Sequence, residues 1–560
     1  MIQRWTYVAS TAAIGLAAVI MAWPHLGDDT GTTAVWIEGG QLLGVGLSTH
    51  LDSLAASMLL LVSGVALLVQ IYSTAYLRDD PRYRSYALLI ILFLLAMIAV
   101  VVADDLFVLL IGWEVMGLCS YFLISHGWEK EPARAGAVKA YLITRFADLG
   151  LLIGIFVIGA SYGTFRISEV LAQEPRNATP IALLLLLAVV GKSAQFPLHT
   201  WLPDAMPGPT PISALIHAAT MVAAGVYLVA RLYPVFLASA TALAAMALIA
   251  CVTMLMAALF ALTGSDLKRI LAWSTVSQLA YMFAAMSVAG REAGIDHLLS
   301  HGAFKALLFL AAGCIMFAVG STSLSAMGGL RKSMPWTFAT TTIGLAALAG
   351  IPPTSGFFSK DDILAAARDS ISGPYAGNEW IAATVFVVSL LTAFVTAAYA
   401  ARVWFKVFFG PLKEAHDAPR AMTVPLVVLA AATIALSFGK QVHWEIGVLT
   451  TVIAAVAITF AWWVHLGALA MPAGVRSVLR NELGLDIVYN RWIPSVVDKV
   501  SAATLIVDAD AIDAYPRATA YASETSSRWL GRSQSKNSQT YATVLSLAVV
   551  ALAVVVVVWG

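Results

Sequence analysis

Hydrophobic positions in this chain do not alternate with polar ones at a surface-helix period. They run together for about 20 residues at a time, long enough to cross the hydrocarbon core of a bilayer. Such runs fall at roughly 6–23, 54–77, 85–103, 105–125, 138–160, 181–198, 210–232, 236–262, 269–289, 297–319, 336–370, 379–408, 423–439, 444–467 and 541–559. The pattern predicts an all-α polytopic membrane protein with about fifteen spans. Two runs are interrupted. The sixth passes into GKSAQFPLHTWLPDAMPGPTP, where Pro197 is the first of several Pro and Gly breaks. The eleventh is too long for one helix and is broken around Gly350, Pro352, Pro353 and Gly356. Helices stopped at membrane depth expose free carbonyls, which is tolerated only where backbone lines a cavity or a protein interior.

Composition agrees. The chain is 60% hydrophobic and 12% charged, against about 25% charged in soluble domains. The net charge of +1 gives no reason to expect nucleic acid as a partner. Cys119, Cys251 and Cys314 lie inside apolar runs without pairing or CxxC spacing, so they read as small buried residues rather than disulfides, zinc ligands or cluster ligands. Arg4 followed by the run to Trp23 is similar to a secretory signal, but no small-residue cleavage site follows, and a retained first helix is expected.

Basic residues concentrate in alternate loops: Arg78, Arg82 and Arg84; Lys130, Arg134 and Lys139; Lys268 and Arg269; Arg331 and Lys332; Lys413 and Arg420. The intervening set is poorer. Residues 24–53 hold no Lys or Arg but have Asp28, Asp29 and Glu38, and the Asp104-Asp105 turn is acidic. By the positive-inside rule the N-terminus is cytoplasmic and the C-terminus outside. One long polar stretch, 470–540, mixes Trp492, Val496, Leu505, Ile506, Tyr515 and Trp529 among charges. It suits either an amphipathic helix, interrupted or kinked by Pro516, or a partly ordered linker. The expected organisation is 1–80, first helices and an external loop; 81–235 and 236–410, two halves; 411–469, further helices; 470–540, the amphipathic segment; 541–560, a terminal anchor.

Ionisable residues inside the runs carry the chemistry. A charge at the bilayer centre costs about 2.5–3.5 kcal/mol even on lenient scales, and such residues mark ion and proton routes. Lys192 lies deep in its run beside the first break; the alternative is a lysine snorkelling to the interface. Burial favours the neutral form of an amine, so a lysine at this depth could gain and lose a proton. Glu114 lies in the middle of GWEVMGLCSYFLI, either as a protonated acid hydrogen-bonded to a neighbouring helix or as an electrostatic partner for Lys192. Arg145 and Asp148, at i, i+3, can pair on one helix face, as a structural ion pair or as a coupling element. His297, His301 and Lys305 share one stripe at i, i+4, i+8, and His217 sits in another apolar span. Imidazole relays protons near neutral pH; a metal site is the rival reading and lacks a third ligand. Lys360 follows the second break, adjoined by Asp361 and Asp362. Two broken helices, one per half, point to inverted repeats around a transport path.

The stretches GKSAQFPLHTWLPDAMPGPTPISALIHAATMVAAGVYLVAR, GWEVMGLCSYFLI, SDLKRILAWSTVSQLAYMF, HGAFKALLFLAAG and GFFSKDDIL together resemble the proton-pumping antiporter-like subunits of respiratory complex I, nearest to the subunit L or mitochondrial chain 5 family. The resemblance runs from about residue 35 to 440. It implies a lateral amphipathic helix for 470–540 followed by a final transmembrane anchor. It implies Glu114 as the partner of the central Lys192; His217 and Lys305 as connecting residues of a central hydrophilic axis, with His297 and His301 beside them; Lys360 at the second broken helix; Asp361 as a possible exit; and Arg145 with Asp148 as a pair coupling neighbouring subunits. The family usually begins one helix earlier, which a lost helix or a late start codon would each explain.

The function implied is proton translocation as a subunit of an NADH–quinone oxidoreductase. The chain holds no Rossmann fingerprint, P-loop or cysteine cluster, so it is expected to bind no cofactor or metal itself. NADH, FMN, iron–sulfur clusters and quinone would belong to partner subunits. The expected surroundings are the lipid bilayer of a bacterial inner membrane and other membrane subunits, especially a subunit M-like neighbour. Two other functions share the core: a multi-subunit Na+/proton antiporter, and the membrane half of an energy-coupled inorganic-carbon uptake system. The lateral helix and final span favour the first.

Overall fold

The computed structural model describes residues 2–37, 46–371, 379–411, 415–465, 472–534 and 536–559. Glu38 and Lys413, used above in reading the loops, lie outside the described residues. The fold is helical, with one exception. After α1 (Ile2–Ala22), β1 (Thr32–Ile37) and β2 (Leu47–Leu51) pair antiparallel ahead of the next helix.

The helices then follow in chain order: α2 (Ser53–Tyr76), α3 (Tyr83–Val102), α4 (Leu106–Ile124), α5 (Glu131–Tyr162), the short α6 (Ile167–Leu171), α7 (Ala178–Lys192), α8 (Trp201–Asp204), α9 (Thr210–Ala218), α10 (Ala223–Arg231), α11 (Tyr233–Leu237), α12 (Ala240–Thr263), α13 (Leu267–Ser287), α14 (Arg291–Val319), α15 (Pro335–Ala349), α16 (Ser355–Ile371), α17 (Glu379–Phe408), α18 (Arg420–Ala435), α19 (Trp444–His465), α20 (Ala473–Arg480), α21 (Leu485–Ile487), α22 (Ile493–Ile506), α23 (Ala514–Ser533) and α24 (Ser538–Trp559). Each of the fifteen predicted runs overlaps one of these helices or a broken pair of them. Among the described residues, eleven helices are long and apolar enough to cross a membrane; α7 and α18 are apolar but shorter.

Polar residues at the run boundaries set where helices start. Asp52, Asp105, Ser239 and Asp266 each accept a backbone N–H in the first turn of α2, α4, α12 and α13, satisfying donors that a helix end leaves open. The Asp104-Asp105 turn is therefore a structural device as well as an acidic loop: the Asp104 carboxylate also accepts from Ser168 N and Oγ.

Both predicted breaks are present. The first runs from Ser193 to Thr200, between α7 and α8, and the helix that follows is interrupted again between α9 and α10. The second runs from Gly350 to Thr354, between α15 and α16, where Gly350 closes α15 at φ +74°, a conformation that only Gly adopts freely. Pro197 and Pro352 with Pro353 lie within the breaks. Gly356 is one residue into α16, where a Cβ would meet the Ala347 carbonyl at 1.9 Å; its bareness lets the two half-helices close on each other.

The chain divides into two units, Met1–Arg480 and Asn481–Gly560. In the first, α9, α10, α13 and most of α14 are wholly or almost wholly buried. α13 is buried although it carries Ser274, Thr275, Ser277 and Gln278, so a polar stripe runs through the interior of this unit. In the second unit, α22 leads through a π-helical turn, Val507–Ile512, into α23. Pro516 falls in the first turn of α23. The expected interruption there is absorbed by the wider π turn immediately before it, since a proline clashes with the carbonyl four residues back.

Candidate functional site

Lys192 ends α7. Its ammonium is fully buried and donates to Asp148 Oδ2 of α5 at 3.2 Å, and Asp148 Oδ1 accepts from Trp113 Nε1 of α4 at 2.6 Å. The same ammonium stands 5.0 Å from the Trp113 ring centroid, within cation–π range. Gly117 leaves room for it: a Cβ there would lie 3.2 Å from Nζ. The helix end also helps, because a C-terminus carries partial negative charge. Side chains take up the carbonyls freed by the breaks. Trp201 Nε1 donates to Gly191 O (2.9 Å), Ser193 Oγ to Val222 O (2.7 Å), and Gln195 Nε2 to Ser193 O (2.8 Å).

Two expected pairings are exchanged. Glu114 does not bind Lys192; it meets Arg145 Nη1 at 2.5 Å, with side chains 25% and 43% exposed. Arg145 accordingly does not pair with Asp148. The two residues are three apart on α5, but Arg145 is taken by Glu114 of α4, and both oxygens of Asp148 are taken by Trp113 of α4 and Lys192 of α7.

The stripe on α14 forms as predicted. His297, His301 and Lys305 are all fully buried. Lys305 Nζ donates to Ser274 Oγ and to Leu271 O (3.4 Å) of α13. His297 hydrogen-bonds with Ser359 Oγ of α16 through Nδ1 (2.9 Å) and with Gln278 Oε1 of α13 through Nε2 (3.2 Å). Among the described residues, neither ring nitrogen of His301 has a hydrogen-bond partner, and the same holds for His217 on α9, whose ring centroid is 4.7 Å from that of Phe309.

Lys360 lies one turn into α16 and donates back across the break to Leu348 O at 2.5 Å. Asp361 Oδ1 accepts from Thr450 Oγ1 of α19 at 2.9 Å. The structure thus brings Lys360 and His297, with Ser359 and Gln278 on its two ring nitrogens, together at the second break, and Lys192, Asp148 and Trp113 at the first.

Sequence reasoning missed Lys268 as a site residue. It was read as a loop charge, yet it is buried and donates to Met206 O (2.6 Å) and Gly208 O (2.7 Å) beyond the first break. The available signal was its place two residues after the cap Asp266. Beside it Asp204 accepts from Lys139 (2.6 Å) and Arg269 (2.9 Å). Among the described residues, no three His, Cys, Asp or Glu side chains are grouped to hold a metal ion.

Two interrupted helices, each ending against a buried lysine and joined by a polar stripe, define a membrane protein of the antiporter type. The family model for the NADH:quinone oxidoreductase/Mrp antiporter transmembrane region matches residues 103–392, and that for the N-terminus of chain 5 of NADH-ubiquinone oxidoreductase (complex I) matches residues 36–87. NADH-quinone oxidoreductase subunit L of Mycobacterium tuberculosis H37Rv is 41% identical over 446 residues, covering 76% of this chain and 69% of the relative. Subunit L of Escherichia coli K12 is 36% identical over 529 residues, covering 87% and 84%. Among solved structures, a chain of the Mrp complex from Dietzia sp. DQ12-45-1b superposes with a TM-score of 0.73 at 27% identity, covering 90% of this chain and 60% of that one. The chain belongs to the subunit L (chain 5) family of NADH-quinone oxidoreductase.

Proposed function

We propose that this chain translocates protons as a membrane subunit of an NADH-quinone oxidoreductase, without a redox centre of its own. The observation that carries the reading is a chain of ionisable groups that starts at the more open Glu114–Arg145 pair and continues through the buried Asp148–Lys192, His217, Lys305, His301, His297 and Lys360 to Asp361. Ionisable groups at this depth are functional by default. Here the lysines are held by one carboxylate, one hydroxyl and several backbone carbonyls, so each stays close to groups that can tolerate either protonation state.

The coupling step uses the exchange of partners. Lys192 rests on Asp148 and Glu114 on Arg145. A shift of Arg145 toward Asp148 would free both Lys192 and Glu114, changing the charge around Lys192 and so its hold on a proton. Arg145 is the most exposed member and lies on a face of α4 and α5 with Ile111, Phe122, Leu142 and Phe146 exposed. This face suits a subunit M-like neighbour that passes the signal. Residues 81–235 and 236–410 serve as the two halves, 470–540 as a lateral amphipathic element and 541–560 as its anchor. NADH, FMN, iron–sulfur clusters and quinone belong to partner subunits. The membrane is the bacterial inner membrane, with the N-terminus cytoplasmic and the C-terminus outside.

Lys192→Ala or Glu114→Ala in the assembled complex, reconstituted in sealed vesicles, is expected to abolish pumping while the subunit still assembles; normal pumping by either variant overturns the proposal. The likeness to an Mrp complex chain favours one second reading, a cation/proton antiporter. Pumping measured with and without sodium separates the two.

A further inference from the structure

The stripe on α14 continues past His297. Asp296, the residue before it, is bound by Lys440 at 2.5 Å, and Asp362 of α16 meets His443 Nε2 at 3.3 Å. Lys440 and His443 both belong to the connection between α18 and α19. Exposure rises along this line: Asp361 is 2% exposed, the Asp362 side chain 21%, and that of His443 35%.

Asp361 is shaped for exchange at its inner end. It lines a small cavity with Lys360, Tyr281 and Thr450. Its Oδ1 is taken by Thr450, and its Oδ2 has no hydrogen-bond partner among the described residues. α19 leaves that oxygen room by placing a glycine against it: a Cβ on Gly447 would stand 3.0 Å from Oδ2. A buried carboxylate with one open oxygen thus adjoins a carboxylate that reaches the surface and is bonded there to a histidine.

We propose that Asp362 and His443 form the outlet through which a proton delivered to Asp361 leaves on the face opposite the basic loops; this rests on the proton-translocating reading above. Asp362 passes the proton to His443 at Nε2, and the resulting imidazolium releases its Nδ1 proton to water, so both groups return to their starting charge. The charged groups around the Asp362–His443 pair are Asp296 on α14 and Lys440 in the same connection as His443, both bearing on Asp362. The Arg368–Glu445 pair (3.0 Å) ties α16 to α19 nearby. Lys440 balances Asp296, which keeps its second negative charge from holding the proton at Asp362.

The test uses the whole complex in spheroplasts, with proton extrusion and uncoupled quinone reduction both measured. His443→Gln keeps a hydrogen bond to Asp362 but cannot carry a proton. His443→Ala leaves space for added imidazole. Extrusion is expected to fall roughly tenfold in both, a modest share of what a positioned proton carrier supplies in general acid–base catalysis, while uncoupled quinone reduction stays intact. External imidazole should restore His443→Ala, and pyrazole, of the same shape but far less basic, should not. Normal extrusion by His443→Gln, equal rescue by both compounds or rescue by neither overturns the outlet. If His443→Ala does not assemble, His443→Gln decides. Lys192→Ala run in parallel separates the levels: if it stalls while His443→Gln pumps normally, only the outlet falls, and if it pumps, the parent reading falls.

Discussion

Lys192 is bound by Asp148 and not by Glu114: Nζ lies 3.2 Å from Asp148 Oδ2, with side chains 0% and 3% exposed, while Glu114 is held by Arg145 at 2.5 Å. The two pairs sit side by side yet differ in environment. One is sealed among α4, α5 and α7. The other is open at the edge of α4 and α5. A buried charge that loses its partner costs far more than an exposed one, so the sealed pair holds the structure and the open pair is free to rearrange.

This asymmetry is measurable. Asp148→Asn strands the Lys192 ammonium and is expected to lower stability by about 3–5 kcal/mol. Glu114→Gln breaks the more open pair and is expected to cost less than Asp148→Asn, although it still stops pumping. Thermal unfolding of the two variants in the same detergent checks the ranking. Equal losses would mean that the pairs are not divided as described.

The helices and the breaks were legible because the signals are local: runs of about 20 apolar residues, and Pro and Gly clusters inside two of them. The His297–His301–Lys305 stripe was legible for the same reason, since spacing alone puts i, i+4 and i+8 on one face. Partner choice was not. Spacing says that Arg145 and Asp148 can meet, but it does not show what the neighbouring helices offer: Glu114 of α4 takes Arg145, and Trp113 of α4 with Lys192 of α7 takes both oxygens of Asp148. Lys268 was hidden differently. Its surroundings in sequence look like a basic loop, and only the folded path of residues 206–208 covers it with carbonyls. The 470–540 stretch, for which pattern alone allowed a helix or a linker, contains helix, and the effect of Pro516 depended on a π turn that no local pattern announces.

His301 carries two buried ring nitrogens without hydrogen-bond partners among the described residues. An unsatisfied buried polar group costs about 1–3 kcal/mol, so replacing this ring with an apolar side chain removes a cost. His301→Leu is therefore expected to hold or raise the melting temperature while sharply reducing pumping. A variant that melts earlier and pumps normally would assign His301 a packing role against Phe304, whose ring it meets edge-on at 5.4 Å.

Gly356 tests the second break. A methyl group there would fall 1.9 Å from the Ala347 carbonyl oxygen, a backbone atom that can yield only if α15 and α16 move apart. Gly356→Ala is expected to destabilise by about 1–3 kcal/mol, as overpacking does, and to slow pumping by displacing Lys360 from Leu348 O. Gly474, beside which nothing lies within 4 Å, provides the control: Gly474→Ala should change neither quantity.

The Asp52–Arg231 pair fixes the start of α2 to the end of α10. Arg231 donates to both carboxylate oxygens, at 2.6 and 2.9 Å, and Asp52 also caps α2 through Ala55 N. Burial alone would raise the Asp52 carboxyl, but the hydrogen bond and charge of Arg231, with the Ala55 N–H, outweigh it, and the group is held below the ordinary carboxylate value. A carboxylate lowered in the folded state stabilises above its unfolded value of about 3.9 and loses that contribution as pH falls through its folded value, which lies lower. Asp52→Asn keeps the cap, since Asn caps as well as Asp, and removes only the charge. It is expected to cost about 3–5 kcal/mol at neutral pH. The gap in melting temperature between variant and parent should stay constant from pH 7 to about 5 and close only below about 4; a gap that closed near pH 6 would transfer the effect to a histidine, with His50, 3.8 Å from Asp52, the first to replace.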